Sequence, residues 1–113
     1  MGELYRLIWT ETFQRTAKKW LRARPWLKGT LSEVLHTLER NPDDPSLRLH
    51  PLHGALEGKQ AVRLSYSDRI VLRVERRERD IVLLDIGGHD EVYRRGIRKG
   101  GRAAAGQAQW RRP

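Results

Sequence analysis

Four histidines, at positions 36, 50, 53 and 89, are the groups with which this 113-residue chain could move protons near neutral pH. His50 and His53 stand in "HPLHG", at the end of a proline-rich stretch that leads into an arginine-bearing strand pattern. His89 and Tyr93 stand four apart in "IGGHDEVYRR", where another apolar strand pattern stops. Two glycines allow a sharp turn there, and one helical turn after it puts His89 and Tyr93 on one face. An imidazole takes up and releases protons near neutrality. A guanidinium stays charged and donates parallel hydrogen bonds. Metal-free cleavage of RNA through its own 2′-hydroxyl needs a base for that proton, an acid for the leaving 5′-oxygen, and fixed positive charge on the phosphate. His50, His89, Tyr93, Asp68, Arg63 and Arg69 supply this set if the loop, a hairpin and the final turn converge.

Each of these residues also has a structural reading. A histidine or tyrosine at a strand end is often there for packing or a hydrogen bond. His36 lies toward the polar side of a helical stripe and reads as a solvated residue. His50, His53 and His89 together could bind a divalent metal, but Asp90 is the one acid beside them, so neither metal nor cofactor is expected. The absence of cysteine removes disulfides, thiol catalysis and cysteine zinc sites. Ser32, Ser46, Ser65 and Ser67 lack a nucleophile-elbow signature, and the "GALEG" glycines lack phosphate-loop spacing.

The elements that must position these residues follow from hydrophobic period. "LYRLIW" (4–9) reads as a first strand, and Thr10 as the cap of a helix in which Phe13, Ala17, Trp20 and Leu21 form one stripe and Pro25 is the stop. A second helix carries Leu31, Val34, Leu35 and Leu38, with Thr30 and Glu33 at capping-box spacing and Asn41-Pro42 at its end. A long connection, 41–59, precedes three strands: "AVRLSY" and "IVLRVER", which alternate, and "IVLLDI" (81–86), apolar on both faces as a central strand would be. The fold class is α+β in the order β-α-α-β-β-β, a mostly antiparallel sheet with a two-helix hairpin on one face. Aligning the apolar sets pairs Tyr66 with Ile70, Leu64 with Leu72 and Val62 with Val74. That register puts Asp68 and Arg69 in the hairpin loop and sets Arg63 opposite Arg73 on the uncovered face. Two like charges there either splay into water or mark where a phosphate backbone lies.

Length allows one domain. The formal net charge of +9 points to a polyanionic partner. Seven of the 23 basic residues fall from Arg94 onward with no acid, leaving 16 basic against 14 acidic residues before that point. The expected organisation is therefore a domain over 1–94 and a basic, flexible tail over 95–113, which is a solvated end or a binding segment. No apolar run approaches the ~20 residues of a membrane span. The start lacks a secretory pattern, so a cytoplasmic protein without membrane contact is expected.

The "HPLHG", "DRIVLRV" and "IGGHDEVY" segments, in this order behind a helical hairpin, resemble the RelE/ParE superfamily of bacterial type II toxins, within it the RelE and YafQ-like messenger RNA interferases. The resemblance covers about residues 4–94. It implies a small twisted antiparallel sheet with two helices on one side, cleavage of mRNA on the ribosome without a metal, and neutralisation by a cognate antitoxin in a hetero-oligomer. It passes catalytic roles to His50, Asp68 and His89, RNA holding to Tyr93, and phosphate ligation to Arg69, with Arg63 as a second ligand. Lys59 is a loose counterpart of the RelE lysines, and Arg73 and His53 complete the expected RNA-binding set. The strand-two histidine of the YafQ pattern is missing, and Arg69 replaces an aromatic residue. A ParE-like inhibitor of DNA gyrase is the alternative within the same fold, disfavoured because such chains generally lack the loop and terminal histidines. A degenerate member that binds RNA or antitoxin through the tail is a third reading.

Overall fold

The computed structural model describes residues 4–98. Strand β1 (Arg6–Trp9) is followed by α1 (Glu11–Ala23), a 3-10 turn over Pro25–Leu27, and α2 (Lys28–Arg40). A connection with two further 3-10 turns holds the short β2 (His50–Pro51). It leads to β3 (Gln60–Arg63), β4 (Asp68–Glu75), β5 (Asp80–Gly88) and α3 (His89–Arg98). The five strands lie in the order β1-β5-β4-β3-β2. β1 runs parallel to β5 and every other neighbour is antiparallel, so the expected α+β architecture is the one observed.

Helices α1 and α2 form where their stripes predict, for the expected physical reasons. Thr10 Oγ1 accepts from the Phe13 amide and donates to the Leu83 carbonyl, so one hydroxyl caps α1 and ties it to the central strand. Phe13, Ala17 and Trp20 are buried, and with Leu31, Leu38, Val62, Ile70, Leu72, Ile81, Leu83 and Ile86 they make the core between the helices and the sheet. The expected capping box is absent. Pro25 opens a 3-10 turn that runs straight into α2 at Lys28, which leaves Thr30 inside the first turn and no side-chain cap at Leu27.

The β3–β4 register differs from the one expected. Val62 pairs with Ile70 rather than Val74, and Arg63 faces Arg69 rather than Arg73. Both registers keep the same side chains on the same face, because they differ by an even number of residues. Turn chemistry decides between them. The Leu64 and Ser65 amides both donate to the Asp68 carbonyl, and the Ser65 hydroxyl donates to Asp68 Oδ2 at 2.7 Å while accepting from the Asp68 amide. Asp68 thereby opens β4 instead of lying in the loop, and Tyr66 projects from the turn at 87% exposure.

A second correction concerns the other face of the sheet, expected to be open. α3 and the segment around Leu52 and Leu56 pack on it with Ala61, Val71, Val82, Leu84 and Val92 as a second, smaller core. The two glycines do not make a turn: β5 runs through Gly87 and Gly88, and α3 begins at His89. α3 also crosses position 95, where the tail was expected to begin; the part of that tail beyond residue 98 lies outside the described residues.

At the far end of the β4–β5 hairpin, Arg76 makes a two-pronged ion pair with Asp43, both bonds 2.8 Å. The guanidinium holds the Asp43 carboxyl below its ordinary range. A group whose folded-state pKa is depressed contributes stability above its unfolded pKa and loses it as the pH falls through the folded value. Both partners are about half exposed, so Asp43→Asn is expected to cost under ~1 kcal/mol at pH 7. Urea melts should show the variant and the parent converging as the pH drops below the carboxylate range.

Candidate active site

Two of the four histidines meet on the second face. His50 on β2, Arg69 on β4, and His89 and Tyr93 on α3 border one small, largely closed hollow, too narrow for a water molecule, lined also by Leu52, Leu56, Ala61, Val71 and Val92. β2 owes its place to the pairing of His50 with Ala61 across β3. α3 owes its start to two anchors: the His89 amide donates to the Ser67 carbonyl at 3.0 Å, and Glu91 Oε1 accepts from the Gly88 amide at 3.1 Å. The loop, the hairpin and the C-terminal segment therefore come together at this hollow.

His50 Nδ1 lies 2.8 Å from the Arg48 carbonyl oxygen. A carbonyl only accepts, so the neutral ring carries its proton on Nδ1 and keeps a free lone pair on Nε2. That is the tautomer a general base needs. The His89 ring lies against Tyr93 with ring centroids 4.5 Å apart and the planes tilted by 60°, and its Nδ1 lies 3.6 Å from Asp90 Oδ1. Arg69 is held by its own loop: Nη1 donates to the carbonyls of Ser65 (3.0 Å), Asp68 (2.9 Å) and Tyr66 (3.4 Å). Anchored at one nitrogen, it keeps Nε and Nη2 for an anion.

The remaining expected site residues lie elsewhere. Asp68 is 2% exposed on the helix-covered side of β4, bonded to Ser65, with Oδ2 3.7 Å from Arg24 Nε and Oδ1 buried without a partner. It does not reach either histidine of the hollow. Arg63 lines a separate hollow with Glu33 and Thr37 of α2. Arg73 pairs with Glu75 at 2.5 Å. Lys59 is half-buried; burial, reinforced by Arg73 and opposed by Asp85, pulls its ammonium below the usual lysine range. His53 is exposed at the N-cap of the 3-10 turn Gly54–Leu56, and His36 is exposed beside Glu39. Among the described residues no group of three or more His, Cys, Asp or Glu side chains could hold a metal ion.

The sequence reading missed what holds α3 down. Asp85, 8% exposed, receives Arg95 Nε and Nη2, both at 2.9 Å, and Arg95 also donates to the Ile86 carbonyl. A lone aspartate inside "IVLLDI" was the available signal, since a carboxylate on a buried strand needs a partner. Arg95→Ala is expected to lower stability by about 2 kcal/mol, less than for a fully buried pair because the Arg95 side chain is 26% exposed. Amide exchange should show the loss concentrated in α3.

A five-stranded sheet with two helices on one face and a short C-terminal helix on the other is a RelE/ParE-type toxin fold, shared with solved toxins of that type. A copper-bound mutant toxin from Helicobacter pylori superposes with a TM-score of 0.65 at 26% identity over 78% of this chain and 98% of its own. YafQ from E. coli gives 0.67 at 13% identity over 79% and 98%. The toxin-antitoxin complex RelBE2 from Mycobacterium tuberculosis gives 0.61 at 24% identity over 76% and 99%. No family model matches the sequence, and no curated protein matches it. The resemblance to the RelE/ParE superfamily, YafQ-like members included, thus stands on the shape of the chain.

Proposed function

We propose that this protein is the toxin of a type II toxin-antitoxin system and a metal-independent endoribonuclease that cuts mRNA, on the ribosome, in the cytoplasm. The observation that carries the reading is the meeting of His50, His89, Arg69 and Tyr93 in one hollow from three separate segments of chain. His50 Nε2 takes the 2′-hydroxyl proton as general base. The oxygen freed of its proton attacks the adjacent phosphorus, and Arg69 Nε and Nη2 stabilise the added negative charge. His89 gives a proton to the leaving 5′-oxygen, and the Tyr93 ring, packed at an angle against His89, holds both that imidazole and a neighbouring base. The products are a 2′,3′-cyclic phosphate and a free 5′-hydroxyl.

Asp68 keeps a place in this scheme as a positioning residue. It fixes the Ser65–Asp68 turn whose carbonyls grip Arg69, and acts on the phosphate only through that grip. Support for an antitoxin partner comes from the neighbours solved as toxin-antitoxin complexes. Adding purified protein to a cell-free translation reaction tests the proposal: arrest with new 5′-hydroxyl ends in ribosome-bound message is expected. Arrest of DNA gyrase with intact message would instead favour the ParE-like activity.

A further inference from the structure

We infer that the solvent face of α1 is a second RNA-contact surface, which takes the phosphate backbone of a structured RNA while Trp26 stacks on an unpaired base. Arg15, Lys18, Lys19 and Arg22 fall at i, i+3, i+4 and i+7, all exposed, on the side of α1 opposite the buried Phe13, Ala17 and Trp20. Among the described residues none of the four pairs with a carboxylate. Glu11, one turn before Arg15, is the single acid on this stripe.

Like charges at three- and four-residue spacing oppose helix formation. Here four such pairs are left uncompensated along a ridge of about 10 Å, from the helical rise. A duplex backbone presents a negative charge about every 1.7 Å of its axis, so a ridge of this length meets several phosphates. The 3-10 turn after α1 adds the most exposed tryptophan among the described residues, Trp26 at 73%, and Lys28 follows at the start of α2. Its neighbour Leu27 packs on the core, whereas Trp26 points into water. An indole beside a basic ridge is the pairing that base stacking uses.

An acidic protein segment is the competing occupant. Such a segment needs apolar burial, and the groove that offers it, lined by Leu7, Trp9, Ala17 and Leu21, meets the ridge at Lys18 and not at Arg15, Lys19 or Arg22. The ridge is convex and carries no large apolar side chain before Trp26. It also lies on the opposite layer of the molecule from the histidine hollow, so both surfaces can hold RNA at once. The inference rests on the reading of the protein as an RNA-acting toxin, and its test is built to fail separately from that reading.

The experiment measures binding of the full chain to purified ribosomes, as the structured RNA, across a salt series. Lys18→Ala/Lys19→Ala/Arg22→Ala is expected to weaken binding at ~0.15 M salt by about tenfold or more. It should also lower the slope of log affinity against log salt by roughly 2 to 3. Trp26→Ala is expected to weaken binding about fivefold or more with the slope unchanged. Because the readout is binding, a parent that binds ribosomes but cuts no message, with binding still weakened in the triple variant, would sink the cleavage reading and support this surface. Unchanged affinity and slope in the triple variant overturn the inference. So does a triple variant that loses an acidic antitoxin but keeps the ribosome.

Discussion

The His50→Ala, His89→Ala double variant is expected to leave message intact under conditions in which the parent cuts it to completion. In the proposed mechanism each imidazole acts in proton transfer, a contribution of about 10²–10⁴ in rate. Residues that work as a unit are not additive, so the double variant should fall little below the worse single one. Both side chains are exposed and neither belongs to a core cluster, so circular dichroism and antitoxin binding should match the parent. A double variant that still cuts message at the parental rate would refute the assignment.

Much of this site could be read before any coordinates, because its pieces follow from local pattern. The alternation of "IVLRVER" sets Arg73 outward whichever register the hairpin takes, and the i, i+4 spacing of His89 and Tyr93 puts them on one face, where their ring centroids lie 4.5 Å apart. The errors occurred where a choice depends on contacts distant in sequence. Strand periodicity cannot separate registers that differ by an even number of residues, so Asp68 was read as a loop group when the Ser65 hydroxyl draws it into β4. Once Asp68 starts the strand, its carboxylate must point to the helix side, away from His50 and His89. Thr30 and Glu33 have capping-box spacing, but the 3-10 turn begun by Pro25 had already started the helix. The second core was missed for a related reason. "GALEG" and "VYRRGIR" are each too short and too polar to announce a packed surface, and become one only when β5 brings Leu56 and Val92 together.

Gly96→Leu is expected to dislodge α3 and take the active site with it. A Cβ at position 96 would lie inside the Leu56 side chain, which is itself 2% exposed and closed in by the second core. Intrinsic propensity pulls the other way: glycine is the poorer helix former by up to about 1 kcal/mol, so leucine would favour α3 in isolation. Overpacking a closed core costs about 1–3 kcal/mol, and a side chain of leucine size puts this site near 3 kcal/mol. The clash therefore wins, and urea melts should show a net loss of about 2 kcal/mol. The damage should be local. Amide exchange should rise across α3 while the core between α1, α2 and the sheet keeps its protection, since Phe13, Leu38 and Ile70 do not touch this cluster. Cleavage should fall with it, because His89 and Tyr93 ride on the displaced helix. Leu56→Ala, which alone costs about 2–5 kcal/mol by leaving a cavity, should cost less in the Gly96→Leu background, where the new side chain fills the space. Additive losses in that double variant, or a Gly96→Leu protein with native stability and full cleavage, would show that α3 is not held against Leu56 in the working molecule.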